Sequence, residues 1–197
     1  MEDKFIRYNG DVRSLKVYRM ALIVSVITEV FVDRFVARGS RTTDQMQQAA
    51  RSCKQNIVEG SAAAPTSKET EIKLTNVARA SLSELEEDYN DYLVFNRLSR
   101  WEKGHPRLEK LRLYLRSQCF ETEYRDLVTR LPAEEFCNLA ITLIRQTQYL
   151  LDRLLESQQR RFLESGGIRE AMSRARRDYR ERYQGYPPEW NNRNNRR

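Results

Sequence analysis

Apolar residues along the chain recur at helical rather than strand spacing. In residues 15–37 they occupy nearly every side of a helical wheel, from Leu15 and Tyr18 through to Phe31. The β-branched residues of this segment would suit a strand, but a mostly apolar length of about twenty residues favours a helix. A helix that is apolar over so much of its circumference is buried by more than one neighbour. We therefore place it at the centre of a bundle or at an interface between subunits.

Polar residues predict both ends of a second helix. Thr42, with Gln45 three residues later, has the spacing of a capping box at the start. Gly60 suits the left-handed position just past a helix end, so we predict that the helix stops there. Asn56 and Glu59 lie close to that end, where we expect them to hydrogen-bond the turn that follows.

A third helix is the longest of the first half of the chain. Thr66 and Glu69 form another capping-box pattern, and the helix that they open reaches about residue 96. Spacings of four and three along it predict a heptad seam that packs against another helix at a shallow angle. The seam consists of Leu74, Ala78, Ser81, Leu85, Asp88, Tyr92 and Phe95.

The middle of the chain is less regular. Residues 98–106 form a predicted loop that contains the only histidine, His105, which we interpret as a turn residue because a proline follows it. A short helix is predicted at residues 108–118.

Two amphipathic helices are predicted in the last third of the chain. The first starts near Pro132, a residue type suited to the first helical position, and continues to about Leu163. Gly166–Gly167 ends it, and the last helix spans residues 168–183. Residues 184–197 have a composition typical of disorder.

These elements predict an all-α fold: an up-and-down four-helix bundle with an additional short helix and a C-terminal basic amphipathic helix. The composition agrees, because seven Gly and five Pro in 197 residues favour helices over sheets. We predict two parts, a four-helix bundle domain at residues 1–165 and a basic C-terminal helix with a disordered tail at residues 166–197.

Positive charge is concentrated at the C-terminus. Residues 160–197 contain eleven Arg and five acidic residues, and so hold six of the seven net positive charges of the chain. A basic tail favours a polyanionic partner, most often nucleic acid, although such tails also serve only to keep a protein in solution.

The last helix arranges its charges on one side. At about 100° per residue, four of its arginines fall within roughly a 100° arc, and apolar residues gather on the adjoining arc. The four are Arg169, Arg176, Arg177 and Arg180. One arc can dock while the other contacts phosphates. The alternatives are a docked helix whose arginines only face water, and, more weakly, a helix that binds a membrane surface or a calmodulin-like protein. The candidate nucleic-acid-binding residues are Arg51, Lys54, Arg169, Arg174, Arg176, Arg177 and Arg180.

Catalytic and metal-binding patterns are missing from the sequence. The acids cluster on one predicted helix at residues 84–88, where we expect them to face solvent or a cationic helix, and the single histidine lies in a loop. A metal site in a helical bundle needs ligands on several helices, and nucleophilic catalysis needs a base beside the nucleophile. Without a Gly-rich phosphate loop either, we predict no metal, no cofactor and no enzymatic activity.

The compartment is predicted from cysteine usage and hydropathy. Three cysteines without CxxC spacing indicate a reduced, cytoplasmic protein rather than a disulfide framework. We expect no signal peptide, because residues 1–5 lack its shape. The longest apolar stretch, residues 21–32, is too short to span a bilayer, so we expect a soluble protein without a membrane partner.

Several motifs resemble those of a bacterial four-helix-bundle family. The family includes the proteins encoded by 23S rRNA intervening sequences and the Avd accessory proteins of diversity-generating retroelements. The similar segments are residues 50–60 (ARSCKQNIVEG), the turn at 67–69 (SKE) and residues 78–86 (ARASLSELE). Residues 39–46, 71–80 and 166–170 are similar to one branch, the "four helix bundle suffix" proteins.

The resemblance covers about residues 5–183 and implies up-and-down helices, a homopentamer and no enzymatic activity. In the retroelement branch it implies a basic pentamer that binds a reverse transcriptase and its template RNA. The C-terminal segment 168–197 distinguishes this chain from the shortest members.

Two main hypotheses follow. The first is an oligomeric nucleic-acid-binding accessory protein that uses the candidate residues named above, with RNA and a reverse transcriptase as partners. The second is a homo-oligomeric protein-interaction scaffold that binds no nucleic acid. A regulatory enzyme subunit is a third alternative.

Overall fold

The structure is a computed structural model that describes residues 10–182, and within that range every regular element is a helix. This confirms the predicted all-α class. The predicted disorder of residues 184–197 lies outside the described residues, and the domain boundary stays a prediction. The elements are a 3₁₀ turn at Val12–Ser14 followed by α1 (Lys16–Phe35), α2 (Arg41–Ala63), α3 (Lys68–Phe95), α4 (Pro106–Arg116), α5 (Gln118–Arg130), α6 (Ala133–Ser165) and α7 (Ile168–Arg182).

Four long helices enclose the core. α1 and α3 each pack against both α2 and α6, so that the four form a closed ring of neighbours. Phe31 of α1 lies at the centre, with ring centroids 4.8 Å from Tyr89, 4.9 Å from Tyr92 and 5.3 Å from Phe136. The prediction that more than one neighbour buries the first helix is confirmed, since α2, α5 and α6 all contact it.

The predicted ends of the second helix are wrong. Ser40, not Thr42, is its N-cap, and the Ser40 Oγ accepts a hydrogen bond from the Thr42 N–H at 3.2 Å. Gly60 does not end the helix, because α2 continues to Ala63. Gly60 instead lies where α2 meets α3: an added Cβ would lie 3.4 Å from the Glu71 carbonyl oxygen. Gly60 thus lies at a contact between two helices that still has room for a methyl group.

Asn56 and Glu59 do not bond the turn after α2. The Asn56 Nδ2 donates to the Ser52 carbonyl oxygen at 2.8 Å, and Glu59 accepts from the Gln55 Nε2 at 3.3 Å. Side chains on a helix point back toward its N-terminus, so both residues reach the preceding turn of α2.

The start of the third helix is one residue later than predicted. Ser67 rather than Thr66 is the N-cap of α3, and its Oγ accepts from the Thr70 N–H at 3.1 Å. The buried side of α3 also departs from the heptad, since Phe95 is 81% exposed. An α-helix drifts by about 20° per heptad relative to a 3.5-residue repeat, so a straight helix carries the last seam residues out of the core. The residues actually buried on α3 are Glu71, Thr75, Ala78, Ser81, Leu82, Leu85, Tyr89 and Leu93.

The short helix predicted at 108–118 is α4, and a second short helix, α5, follows it. α5 was missed although Phe120, Tyr124 and Val128 recur at a spacing of four and are buried. The C-terminal end of α5 is bound by Arg34 of α1. The Arg34 guanidinium donates to the carbonyl oxygen of Val128 and, at 2.9 Å, to that of Leu131.

The loop between α3 and α4 is fastened to the first turns of α6. The Trp101 N–H donates to the Asn138 Oδ1 at 2.8 Å, and the Asn138 Nδ2 donates to the Ser99 carbonyl oxygen at 2.9 Å. Glu134 accepts from the Ser99 N–H at 3.0 Å and from the Trp101 indole at 3.2 Å. His105 stacks on Trp101 and occupies the N-cap position of α4, which confirms the prediction of a turn residue.

Substitution of Gly60 by alanine should stabilise the protein. The new methyl would make ordinary contacts with α3, and alanine is favoured over glycine inside a helix by about 0.5–1 kcal/mol. The matched control is Gly39→Ala, because Gly39 has a φ of +79° and should lose about 1–2 kcal/mol. Urea denaturation of both variants measures the sign, and a destabilised Gly60→Ala protein would show that α3 passes too close to leave room for the methyl.

Glu134 should make the stability depend on pH in the acid range. The Ser99 N–H foremost, then the Trp101 indole and the nearby Arg107 and His105, lower the pKa of Glu134 from 4.5. A carboxyl with a lowered folded pKa stabilises the fold above its unfolded value, and this contribution is lost as the pH falls through the folded pKa.

We therefore expect Glu134→Gln to reduce the free energy of unfolding at neutral pH, with a difference from the parent that shrinks as the pH falls below about 4.5. Denaturation across this pH range is the measurement. Glu135→Gln is the control, because Glu135 has only a 3.4 Å ion pair with Arg107. A difference that stays constant with pH would show that the lost contacts are not those of the ionised carboxylate.

Candidate nucleic-acid interface

α7 leaves the core at a glycine pair. Gly166 ends α6 with a φ of +68°, as predicted for a helix stop, and the Gly167 N–H donates to the Glu170 Oε2 at 2.9 Å. This contact places a carboxylate over the first turn of α7, where the free N–H groups of a helix favour negative charge. Arg174 fixes the junction from the other side by donating to the Ser165 carbonyl oxygen at 2.6 Å.

The apolar arc of α7 is only partly covered by the described chain, where Ile168, Ala171 and Ala175 are half-buried. No residue of α7 is buried, and Met172 and Tyr179 are 50% and 52% exposed. The exposure of Met172 and Tyr179 does not favour the alternative in which this helix docks on its own chain, and that alternative stays a prediction. The helix presents both its apolar arc and its arginines to the surroundings.

The arginines of α7 form one exposed cationic surface. Arg169, Arg176, Arg177 and Arg180 are all exposed, and none has an ion pair with another residue of the range 10–182. Among the acids of α7, Glu170 caps the start of the helix, and Asp178 and Glu181 form no ion pair with these arginines. Unpaired guanidinium groups at this density are the residue type and arrangement that contact phosphates.

Arg51 and Lys54 lie on a different helix. Both are on α2, three residues apart on one face, with Arg51 exposed and Lys54 half-buried. No contact within the described residues joins them to α7. The structure thus groups five of the seven predicted residues on α7 and leaves these two as a separate pair.

A cavity of about 480 Å³ lies where the starts of α3 and α7 meet. Its walls carry Lys68 and Arg169, but also the carboxylates of Glu69 and Glu170, so its charges are balanced. Lys68 was not singled out in the sequence. Its Nζ donates to the Arg161 carbonyl oxygen at 3.3 Å and also contacts the Ser165 Oγ, which makes it a link from α3 to the end of α6.

Arg161 pairs with a buried carboxylate and is not part of the cationic surface of α7. Its guanidinium donates to the Glu71 Oε1 at 2.9 Å, and Gln158 donates to the same oxygen at 3.2 Å. Glu71 is 5% exposed. The hydrogen bonds from Arg161 and Gln158 therefore take the place of most of the water that would otherwise solvate its charge. Arg160, its neighbour, is exposed and lacks a described partner.

The acids of α3 divide between two environments. Glu86 pairs with Arg145 at 2.7 Å and Arg100 at 3.6 Å, whereas Glu84 and Glu87 are exposed. The prediction that this cluster faces solvent or a cationic helix is therefore confirmed. Among residues 10–182, no group of three His, Cys, Asp or Glu side chains could hold a metal ion.

The cysteines and the hydropathy of the helices add two findings. Burial raises the pKa of Cys53 and of Cys137 to about 12, so neither thiol ionises near neutral pH. Cys119 is exposed, and all three are free thiols. In the described part of the chain, no helix has the length and apolar character needed to cross a membrane.

Comparison with known proteins gives no match from which a family or a function could be assigned. No protein-family model, no curated protein and no solved structure matches this sequence or fold. The resemblance to the four-helix-bundle family therefore rests on the motifs alone and stays a prediction. The interface described above rests on the contacts and exposure of the residues that form it.

Replacing Arg161 by alanine should destabilise the fold, because the buried Glu71 carboxylate would keep only its contact with Gln158. We expect the free energy of unfolding to fall by about 1–3 kcal/mol. Arg160→Ala removes the same charge one residue away and should change it by less than about 0.5 kcal/mol. Urea denaturation compares the two variants, and equal effects would contradict a structural role for Arg161.

Proposed function

We propose that this chain is a non-enzymatic, oligomeric nucleic-acid-binding accessory protein, an Avd-like partner of a reverse transcriptase and its template RNA. The observation that carries the proposal is the exposed arginine surface of α7, whose charges no described carboxylate neutralises. A polyanion would supply the missing counter-charges and release its own bound cations on binding, which drives association.

The arrangement of the long helices supports an up-and-down four-helix bundle as the scaffold. The connections between α1 and α2 and between α2 and α3 are only a few residues long, which suits antiparallel neighbours. α4 and α5 are the additions to this bundle and α7 is its basic extension. Membership of the four-helix-bundle family, a homopentamer and a cytoplasmic location are parts of the same proposal that rest on the sequence.

The second candidate function is a homo-oligomeric interaction scaffold. It is favoured by the exposed apolar arc of α7, which includes Met172 and Tyr179 and which phosphate contacts alone would leave in water. Mass measurement in solution, together with the ratio of nucleic-acid to protein absorbance at low salt, separates the two. Protein that is oligomeric but free of nucleic acid would favour the scaffold.

The arginines of α7 should set the salt dependence of RNA binding. We expect the triple variant Arg176→Ala/Arg177→Ala/Arg180→Ala to bind single-stranded RNA more weakly, with the slope of log K against log salt reduced by about 2. Fluorescence anisotropy of labelled RNA across a salt series measures both effects.

The control removes three arginines that already have carboxylate partners. Arg79, Arg112 and Arg153 pair with Asp152, Glu109 and Glu156 on other surfaces, so their triple alanine variant changes the net charge equally. It should retain the slope of the parent. An α7 variant that binds RNA as well as the parent, or a control that loses as much, would rule out the α7 assignment.

A further inference from the structure

The outer face of α3 is the acidic counterpart of α7. Glu84, Glu87 and Asp91 are exposed there and have no ion pair with any cation of the range 10–182. Residues 80–96 contain no Lys or Arg, so this part of α3 supplies no compensating charge. We call this face, from Val77 to Phe95, the acidic stripe.

The carboxylates of the acidic stripe repel one another. Burial, followed by the charges of Asp91 and Glu84, raises the pKa of Asp88, which lies between them. In the single chain, nothing described offsets this repulsion. A cationic partner would do so.

The acidic stripe also exposes large apolar groups. Val77, Val94 and Phe95 are 41%, 72% and 81% exposed. At about 100° per residue, Val77, Glu84, Asp91 and Phe95 fall within roughly 40° of one another on the helix. The stripe thus combines apolar contact surface with unpaired negative charge, which is unfavourable for RNA and suited to a basic amphipathic helix.

α7 has the complementary pattern. Met172 and Tyr179 lie on its exposed apolar arc, and Arg169, Arg176 and Arg180 lie along one border of that arc. Its 15 residues extend about 22 Å, similar to the distance of about 27 Å from Val77 to Phe95. Apolar groups flanked by opposite charges can therefore face one another over the length of α7.

Within the described part of the single chain, no ion pair joins the two surfaces. α7 starts beside Lys68, at the first turn of α3, because residues of both helix starts line the same cavity. Even folded back along α3, Arg176 would reach only about 12 Å and Arg180 about 18 Å from that end. Glu84 lies about 24 Å and Asp91 about 35 Å along α3, so most of the stripe lies beyond the end of α7.

We propose that α7 of one copy docks on the acidic stripe of a second copy of this chain. Each copy offers one α7 and one stripe, which makes the contact heterologous and lets it continue from copy to copy until a ring closes. The contact goes beyond the proposed RNA binding and does not depend on it. Since both use arginines of α7, RNA and a neighbouring copy compete for the helix.

The test reverses each set of charges in the full chain, treated with nuclease to remove nucleic acid. One variant carries Arg169→Glu, Arg176→Glu and Arg180→Glu, and the other carries Glu84→Arg, Glu87→Arg and Asp91→Arg. Analytical ultracentrifugation gives the association constant. Each variant alone should associate roughly tenfold or more weakly than the parent, because like charges then face one another.

Restoration of the charge pattern is the decisive result. An equimolar mixture of the two variants should associate, and so should the chain that carries all six changes. A control with Lys103→Glu, Lys110→Glu and Arg116→Glu, which alters exposed cations elsewhere, should associate like the parent.

Circular dichroism verifies that each variant keeps its helices. A parent that stays a single copy at about 100 μM would overturn the proposal. So would a loss of association in the α7 variant alone, which would mean that α7 docks on a different surface, or a swap that restores nothing.

Discussion

The packing of Phe31 against aromatic rings from two other helices is the contact on which the rest of the structure depends. Tyr89 and Tyr92 come from α3 and Phe136 from the start of α6, so one ring of α1 joins three of the four long helices. A buried hydrogen bond of 3.1 Å between the Thr28 Oγ1 and the Tyr89 hydroxyl supplements it. Because buried polar groups need partners, this bond also selects one register of α1 against α3.

Polar contacts between α3 and α6 then define the two ends of the core. At one end, Glu71 of α3 accepts from Gln158 and Arg161 of α6. At the other, Glu134 and Asn138 of α6 hold the loop that follows α3. Apolar packing is not directional, whereas these bonds require particular partners, so they fix how far α3 and α6 overlap and where α7 leaves the core.

Carboxylates with little exposure are paired with arginines, whereas the charges on two outer surfaces of the chain are unpaired within residues 10–182. Arginines of the core helices, such as Arg145 and Arg161, neutralise carboxylates with little exposure, Glu86 and Glu71. The outer face of α3 and the arginine surface of α7 have no such partners among the described residues. Charge left unpaired on a folded surface is the part of its electrostatics that is available to RNA or to another copy of the chain.

The sequence by itself determined the all-α class, the glycine stop before α7 and the burial of α1 on several sides, because periodicity and local backbone preference act within a few residues. It also located the arginines of α7. Tertiary structure decided the rest: Gly60 is a helix contact because α3 passes close to it, and Phe95 is exposed because a straight helix drifts from the heptad. The bounds of α5 depend on its contacts with Arg34 and the core. α7 is accessible because the described chain buries none of its residues. Which surfaces meet depends on the packing of the whole chain, because a local sequence pattern describes only one of the two sides of each contact.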